Sequence, residues 1–547
     1  MYFGNPGREN LSSIRPISFA ETGSVIIDPT FTLAFYTNFY YPKLFYAMLL
    51  YNYIVLIESE IKMSKPNNLI VIMSDEHNPK VMGCAGHPVI STPNLDALAA
   101  RGTRFTSAYT ASPVCVPARA AFAIGKYIHQ IGFWDNADAY DGSIPTWHHH
   151  IRNRGHKVVS VGKLHFHTAE EDHGFTEEII PMHILHGKGD LMGLVRDDLP
   201  KRGGAKKMIG MAGPGESSYT LYDRDIAARA QVWLRENADK HQDKPWVLFV
   251  SFVAPHFPLT APPEHYYRYF NQKLPMPKLY AREHRPNHPY IEDYRNSFCY
   301  DDYFESEQDV HKALSGYFGL VSFFDEHLGK IMKTVQEMGL EGSTDIIYTS
   351  DHGDNLGSRG LWGKSTMYDE IAGVPLICAG PSFPKGKVIN TPVSHVDVCP
   401  TVMDIVGESF DEVQDDHPGV SLIDLSEGAT PERTVISEYH GMGSTSAAYM
   451  IRVGKYKYVY YSKYAPQLFD LEADPDEIND LANESSMSAV LEECKKRLHD
   501  LLDPVEVDNR ARARQKELLD ANGGREAVIA RGDLGFTPAP GVAADFK

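Results

Sequence analysis

The chain has 547 residues, 43% hydrophobic and 23% charged, a globular composition too long for one ordinary core and read as one large and one smaller domain. A formal net charge of -19 excludes a general nucleic-acid binder, which needs a basic face, so any anionic ligand must be drawn by a local group of cations. The six cysteines are scattered, without a Cys-x-x-Cys pair, which is sparse for a disulfide framework and fits a reducing compartment.

Residues 1–62 differ in character from the rest of the chain. The Tyr-, Phe- and Leu-rich run Phe31–Ile57 is broken by Asn38, Pro42, Lys43 and Asn52, and it lacks a basic leader and a small-residue cleavage site. A membrane span wants roughly 20 predominantly apolar residues, so none is expected. The functional chain is expected to open at Met63, with 1–62 an extension or a misassigned start. A cytoplasmic location is expected, the periplasm being the alternative.

Asn68–Ser74 is a short apolar run, as in a strand buried on both faces, and it ends in Asp75-Glu76-His77. Thr92 and Pro93 open a helix that Gly102 closes. Ser112–Arg119 reads as a loop entering a helix at Pro117, which places Cys115 just before a helix start, where backbone N–H groups favour negative charge. Arg119 lies one helical turn beyond Cys115. A polar turn at Trp134–Asp138 leads to a helix near Thr146–Arg154. Lys157–Gly162 is a strand ending in Lys163-Leu164-His165. Residues 168–220 read as an irregular insertion over one face of the sheet.

A helix at Asp223–Lys240 and a strand at Trp246–Val253 come next, the latter ending before Pro255-His256. Residues 259–305 form a second insertion. A strong amphipathic helix covers about 311–338, with Leu314, Tyr317, Val321, Phe324 and Leu328 on one stripe. Asp345–Ser350 is a strand running into Asp351-His352-Gly353-Asp354; Val374–Ala379 is another, and Val396–Val406 a helix. Alternating strands and helices imply a large, mostly parallel α/β sheet flanked by helices. Beyond about Glu432 the pattern becomes short strands, with a Gly454-Lys455 hairpin turn and a helix at 486–503. The expected organisation is a catalytic α/β domain at 63–430, a smaller α+β subdomain at 431–504, and a tail at 505–547 that packs elsewhere on the chain or on a partner subunit in a homo-oligomer.

Ligands of such sheets collect beyond the carboxyl ends of the strands. Asp75, Lys163, His256 and Asp351 each follow a different predicted strand. Asp75, Glu76, Asp351 and His352 offer a divalent-metal site, their carboxylates suiting Ca²⁺ first, with Mg²⁺ or Mn²⁺ as alternatives. Lys163 and His165, two apart, point the same way in an extended segment, toward an anion or a leaving oxygen. Taken singly, each of these has a plainer reading: a buried structural cysteine at 115, a turn aspartate, a packed histidine at 256, a solvated lysine at 364. His148-His149-His150 are read as surface and helix packing, because neighbouring helical residues do not share a face.

Together the residues carry a resemblance. Cys115-Val116-Pro117-Ala118-Arg119, strand-end Asp75, Gly162-Lys163-Leu164-His165, Pro255-His256, Thr349-Ser350-Asp351-His352-Gly353 and Lys364 resemble the type I sulfatases of the alkaline phosphatase superfamily. Asp351-His352 and Asn136 look like the branch holding choline sulfatases and phosphonate monoester hydrolases. No aromatic cage is evident after His173-Gly174-Phe175, so choline sulfate is not the first expectation. The resemblance implies that a formylglycine-generating enzyme oxidises Cys115 to formylglycine. The hydrated aldehyde then attacks the sulfur of a small sulfate ester beside a divalent metal that residue 115 also ligates. Arg119, Lys163 and Lys364 neutralise the sulfuryl oxygens, His256 or His165 protonates the leaving group, and Asn136 donates a hydrogen bond. Hydrolysis of aryl or alkyl sulfates is therefore expected. The alternatives are phosphonate monoester or phosphodiester hydrolysis on the same site, and a non-catalytic metal- or anion-binding relative.

Overall fold

A computed structural model describes residues 66–240, 243–409, 417–429 and 431–546; the expectations for 1–62 and for a start at Met63 lie outside them. The main sheet has eight strands: β1 (Asn68–Asp75), β2 (Gly102–Phe105), β3 (Val158–Lys163), β4 (Glu177–Met182), β5 (Val247–Pro255), β6 (Thr344–Ser350), β7 (Leu376–Ala379) and β8 (Lys387–Ile389). They lie in the order β8-β2-β7-β6-β1-β5-β3-β4. All pairings are parallel except those of β7, which runs antiparallel to β2 and β6.

The continuous apolar run of β1 is explained by burial on both faces. Ile70 and Ile72 enter one core layer, and Leu69, Val71 and Met73 the other. The first layer is closed by α2 (Ser218–Asn237) and α3 (Glu307–Glu337), the second by α1 (Cys115–Ile124) and α4 (Val398–Val406). A separate antiparallel sheet is formed by β9 (Val435–Tyr439), β10 (Ala448–Val453), β11 (Tyr456–Tyr461) and β12 (Gln467–Asp470), with Gly454-Lys455 at the β10–β11 turn. Its residues reach both core layers, Ala448 and Met450 into one, Tyr449 and Ile451 into the other.

The structure corrects several local expectations. Cys115 is the first residue of α1, not the loop residue before it, with Val114 at the N-cap and Pro117 inside the first turn. Gly102 does not close the preceding helix; it opens β2, where a Cβ would stand 2.2 Å from the Cys378 carbonyl oxygen. Thr92 occupies the N-cap, but its hydroxyl makes no capping bond and donates to Asp96 instead (3.1 Å). Helix α3 begins at Glu307, earlier than expected, because Ser306 and Asp309 form a capping box. The 168–220 segment contains the edge strand β4, disguised by Glu177, Glu178 and Pro181, residues typical of edges. His148 and His149 are buried, His148 stacking on Phe175 at 4.0 Å, and His150 is half-buried, so the run serves helix packing as expected, with less at the surface than expected. The tail is helical, as α5 (Pro504–Ala521) and α6 (Gly524–Arg531), α5 starting where Asp503 accepts from the amides of Val505 and Glu506.

Candidate active site

Four neighbouring strands, β6, β1, β5 and β3, end at one rim of the sheet and deliver Asp351 and His352, Asp75 and Glu76, His256, and Lys163. The N-terminal end of α1 brings Cys115 and, one turn on, Arg119 to the same place, and the loop after β6 returns Lys364. Cys115 is the centre. Its Sγ lies 3.1 Å from His352 Nε2, 3.0 Å from Lys364 Nζ and 3.8 Å from Asp75 Oδ1. Donor atoms of Asp75, Cys115, Asp351 and His352 all lie within 4.8 Å of one another, and all four residues are buried. His352 Nδ1 donates to the Gly353 carbonyl (2.9 Å), which leaves the Nε2 lone pair facing the cluster.

Arg119 is spent on protein acceptors. Its Nε donates to Asp351 Oδ2 (2.8 Å), and its terminal nitrogens donate to Asp75 Oδ2 (3.0 Å), Ser251 Oγ (2.9 Å) and the Lys163 carbonyl (3.0 Å). Lys163 pairs with the same Asp75 oxygen. Arg119 therefore lies behind the carboxylates and is not among the residues that line the pocket. Burial would raise the Asp75 pKa, but Lys163, His256, Arg119 and Lys364 hold it well below the ordinary range.

The pocket above Cys115 is lined by Glu76, Asn136, His165, His256 and Lys364. Lys364 Nζ donates to His256 Nε2 (2.9 Å), since His256 Nδ1 is committed to the Phe257 carbonyl (2.5 Å). Glu76 stands 3.3 Å from His256 Nε2 and 3.6 Å from Lys364 Nζ, in a donor group with Asp75 and His256, not with Cys115. Its buried carboxylate oxygens have no hydrogen bond, and burial pushes its pKa well up. His165 is not in the extended segment expected, having φ 57°, yet its ring reaches the pocket with both nitrogens unpaired. Asn136 Oδ1 accepts from the Val116 amide (3.1 Å), tying the Trp134–Asp138 turn to the start of α1. Burial and Asp75 push the Cys115 thiol up to about 11, against the pull of Lys364 and Lys163.

Sequence reasoning missed three parts of this site. Ser251 holds Arg119 from inside β5, where nothing distinguishes it from a core serine. Asp354 accepts from the Gly363 amide (3.2 Å) and so shapes the turn that presents Lys364; in the Ser-Asp-His-Gly-Asp run it carries no evident role. The pocket wall is the third. Tyr219, Phe257, Tyr294, Phe298, Tyr300 and Phe536 converge from four separate segments, whereas Phe175 lies in the core. Arg202 bridges Asp190 (2.8 Å) and Asp533 (2.7 Å), and Leu534–Thr537 of the tail closes one side.

Two carboxylates, an imidazole and a thiol thus meet at the rim of an α/β sheet, beside the buried Lys364. The family described as Sulfatase matches residues 67–408, and the N-sulphoglucosamine sulphohydrolase C-terminal family matches 357–503. The chain is 35% identical over 432 residues to a choline-sulfatase of Rhizobium meliloti (strain 1021), covering 76% of this chain and 82% of that protein. It is 28% identical over 454 residues to arylsulfatase K of Rattus norvegicus, covering 78% and 77%. Among solved structures, the phosphonate monoester hydrolase of Agrobacterium radiobacter superposes with a TM-score of 0.65 at 23% identity, over 80% of this chain and 95% of that one. The chain belongs to the sulfatase family, and it is a sulfuric ester hydrolase that cleaves sulfate monoesters.

Proposed function

We propose that residue 115 acts as formylglycine, made from Cys115 by a formylglycine-generating enzyme, with one divalent cation, Ca²⁺ by preference, held by Asp75, Asp351, His352 and residue 115. The donor set fits such an ion: two buried carboxylates and an imidazole lone pair converge on one point. The Cys115 sulfur marks where the oxygens of the hydrated aldehyde would stand. The cation would supply charge neutralisation to the nucleophile and the sulfuryl oxygens, and the aldehyde hydrate a hydroxyl nucleophile.

The protein's own groups divide into two sets. Arg119 and Lys163 sit behind Asp75 and Asp351 and fix the carboxylates. Lys364, His256, His165 and Asn136 face the pocket, where Lys364 places positive charge beside the sulfuryl group and His256 shares its proton. Glu76 neighbours this pair, its carboxyl biased by burial toward the neutral form. The observation that carries the reading is the convergence of Asp75, His352 and Lys364 on Cys115 Sγ.

The alcohol half of the substrate would lie against the six aromatic rings. Such a wall suits an aryl group or a quaternary ammonium, and the Rhizobium relative is named a choline-sulfatase. The test is kcat/KM on an aryl sulfate, choline sulfate and an aryl phosphonate, using calcium-replete protein whose residue-115 modification is quantified by peptide mass. Turnover of sulfate esters in proportion to the modified fraction is expected. Equal turnover by unmodified protein would overturn the formylglycine reading, and preference for the phosphonate would move the activity to phosphonate ester hydrolysis.

A further inference from the structure

A second donor cluster lies away from Cys115, at the free edge of the main sheet. His173, on the loop before β4, is fully buried, with its Nδ1 2.9 Å from Glu178 Oε1. Glu178 lies within β4, and its other oxygen, Oε2, is 3.6 Å from Nε2 of His183, the residue just past the strand. One donor atom from each of the three lies within 4.8 Å of the others. Neither ring nitrogen of His183 makes a hydrogen bond, though both are buried, and His173 Nε2 makes none either. Glu171 Oε2 stands 3.7 Å from that second nitrogen of His173, on the side from which a carboxylate orients a ligating imidazole.

Two features separate this cluster from an ordinary charged edge. Unsatisfied imidazole nitrogens are costly to bury, and of the three here His183 Nε2 faces Glu178 at 3.6 Å and His173 Nε2 faces Glu171 at 3.7 Å. The rings are also fixed by packing, His173 against Phe166 (5.0 Å) and Tyr140 (5.9 Å), and against His183 at 5.3 Å. Two imidazoles and one carboxylate suit a zinc-class transition metal, whereas the catalytic cluster, richer in oxygen, suits a harder ion.

We propose that His173, Glu178 and His183 bind a second divalent cation of the zinc class, separate from the catalytic cation. Glu171 serves as the carboxylate that orients His173. The site ties the loop before β4 to the segment after it. That segment is bonded to the catalytic one: the Leu164 and His165 amides donate to the Met182 carbonyl (3.1 and 2.8 Å), and the Ile184 amide to the Phe166 carbonyl (3.0 Å). Ile184 and His165 both line the active-site pocket, so the bound ion would stiffen one wall from behind.

The experiment uses the full-length protein, stripped with chelator and then saturated with Ca²⁺ to fill the catalytic cluster. Zinc is titrated in, and bound metal is measured after gel filtration. One equivalent of zinc is expected beyond the calcium. Co²⁺ in its place should give the visible absorption of a low-coordinate nitrogen–oxygen site. His183→Ala and, separately, Glu178→Gln should abolish the extra equivalent, and Glu171→Gln should weaken it by about tenfold. Zinc should raise the melting temperature of the wild type and of none of the ligand variants, whose chelated forms should melt near chelated wild type. No extra equivalent, or an equivalent retained in both ligand variants, overturns the proposal.

Discussion

Arg119 grips two carboxylates beside Cys115 at once: its Nε is 2.8 Å from Asp351 Oδ2 and a terminal nitrogen is 3.0 Å from Asp75 Oδ2. A planar guanidinium does this with one fixed fork; an ammonium cannot. Arg119→Lys is therefore expected to weaken binding of the catalytic cation by about 10- to 100-fold, as loss of an outer partner does elsewhere. Added metal should restore part of kcat. A rise in KM that no metal concentration relieves would instead mean that Arg119 touches the substrate.

Cys115→Ala should abolish turnover with little effect on folding. Residue 115 is buried in the first turn of α1, where alanine is well tolerated and the change removes only one sulfur. The matching measurement is sulfate release alongside thermal unfolding. Cys115→Ser, while its hydroxyl stays unoxidised by peptide mass, is expected to fail as a catalyst too, because an unoxidised serine carries no aldehyde to hydrate. Multiple turnovers by either variant would refute a nucleophilic role for this position.

Much of this site is legible in the sequence because strand ends are legible. Apolar runs that stop at Asp75, Lys163, His256 and Asp351 mark where buried strands meet a polar rim, and the four strands prove to be neighbours in the sheet. The direction of each side chain is not legible. Arg119 and Lys163 read as substrate cations, but only coordinates reveal that Asp75 and Asp351 occupy them. The aromatic wall escapes for a different reason. Tyr219, Tyr294 and Phe536 are far apart in the chain, and each reads as core at its own position. Edge strand β4 escapes because its glutamates follow the needs of an edge. The place of Glu178 beside His173 and His183 is equally hidden, in a segment that reads as irregular.

The tail is expected to set substrate affinity more than turnover. Phe536 meets Tyr219 at 5.4 Å and Phe257 at 5.6 Å, both edge to face, and Asp533 anchors the segment to Arg202. An aromatic pair of this kind is worth about 0.5–1.5 kcal/mol, so Phe536→Ala should raise KM about 2- to 10-fold while kcat changes less. Asp533→Asn should act the same way by loosening the anchor, with Arg202 left to Asp190. Steady-state kinetics on an aryl sulfate checks this. An unchanged KM in both variants would show that the tail does not touch the bound ester.

Glu438 and His129 form a pair whose contribution depends on pH in opposite senses. His129 Nδ1 donates to Glu438 Oε1 at 2.7 Å, and the carboxylate is fully buried. Burial would raise the Glu438 pKa, but His129 and His440 bring it down to about 2 from 4.5. Burial would lower that of His129, but Glu438 pushes it above 6.5. The depressed carboxylate contributes stability above pH 4.5 and loses it as pH falls toward 2. The raised imidazole contributes fully below pH 6.5 and loses its share as pH rises through the folded pKa. The pair is therefore worth most between about pH 4.5 and 6.5. Glu438→Gln should lower unfolding free energy there by at most about 3 kcal/mol, a tenfold change in proton affinity being worth about 1.4 kcal/mol. The deficit should shrink toward pH 9 and toward pH 2. Urea unfolding of both proteins across this range is the measurement, and a deficit constant with pH would mean that the pair acts through packing and not through charge.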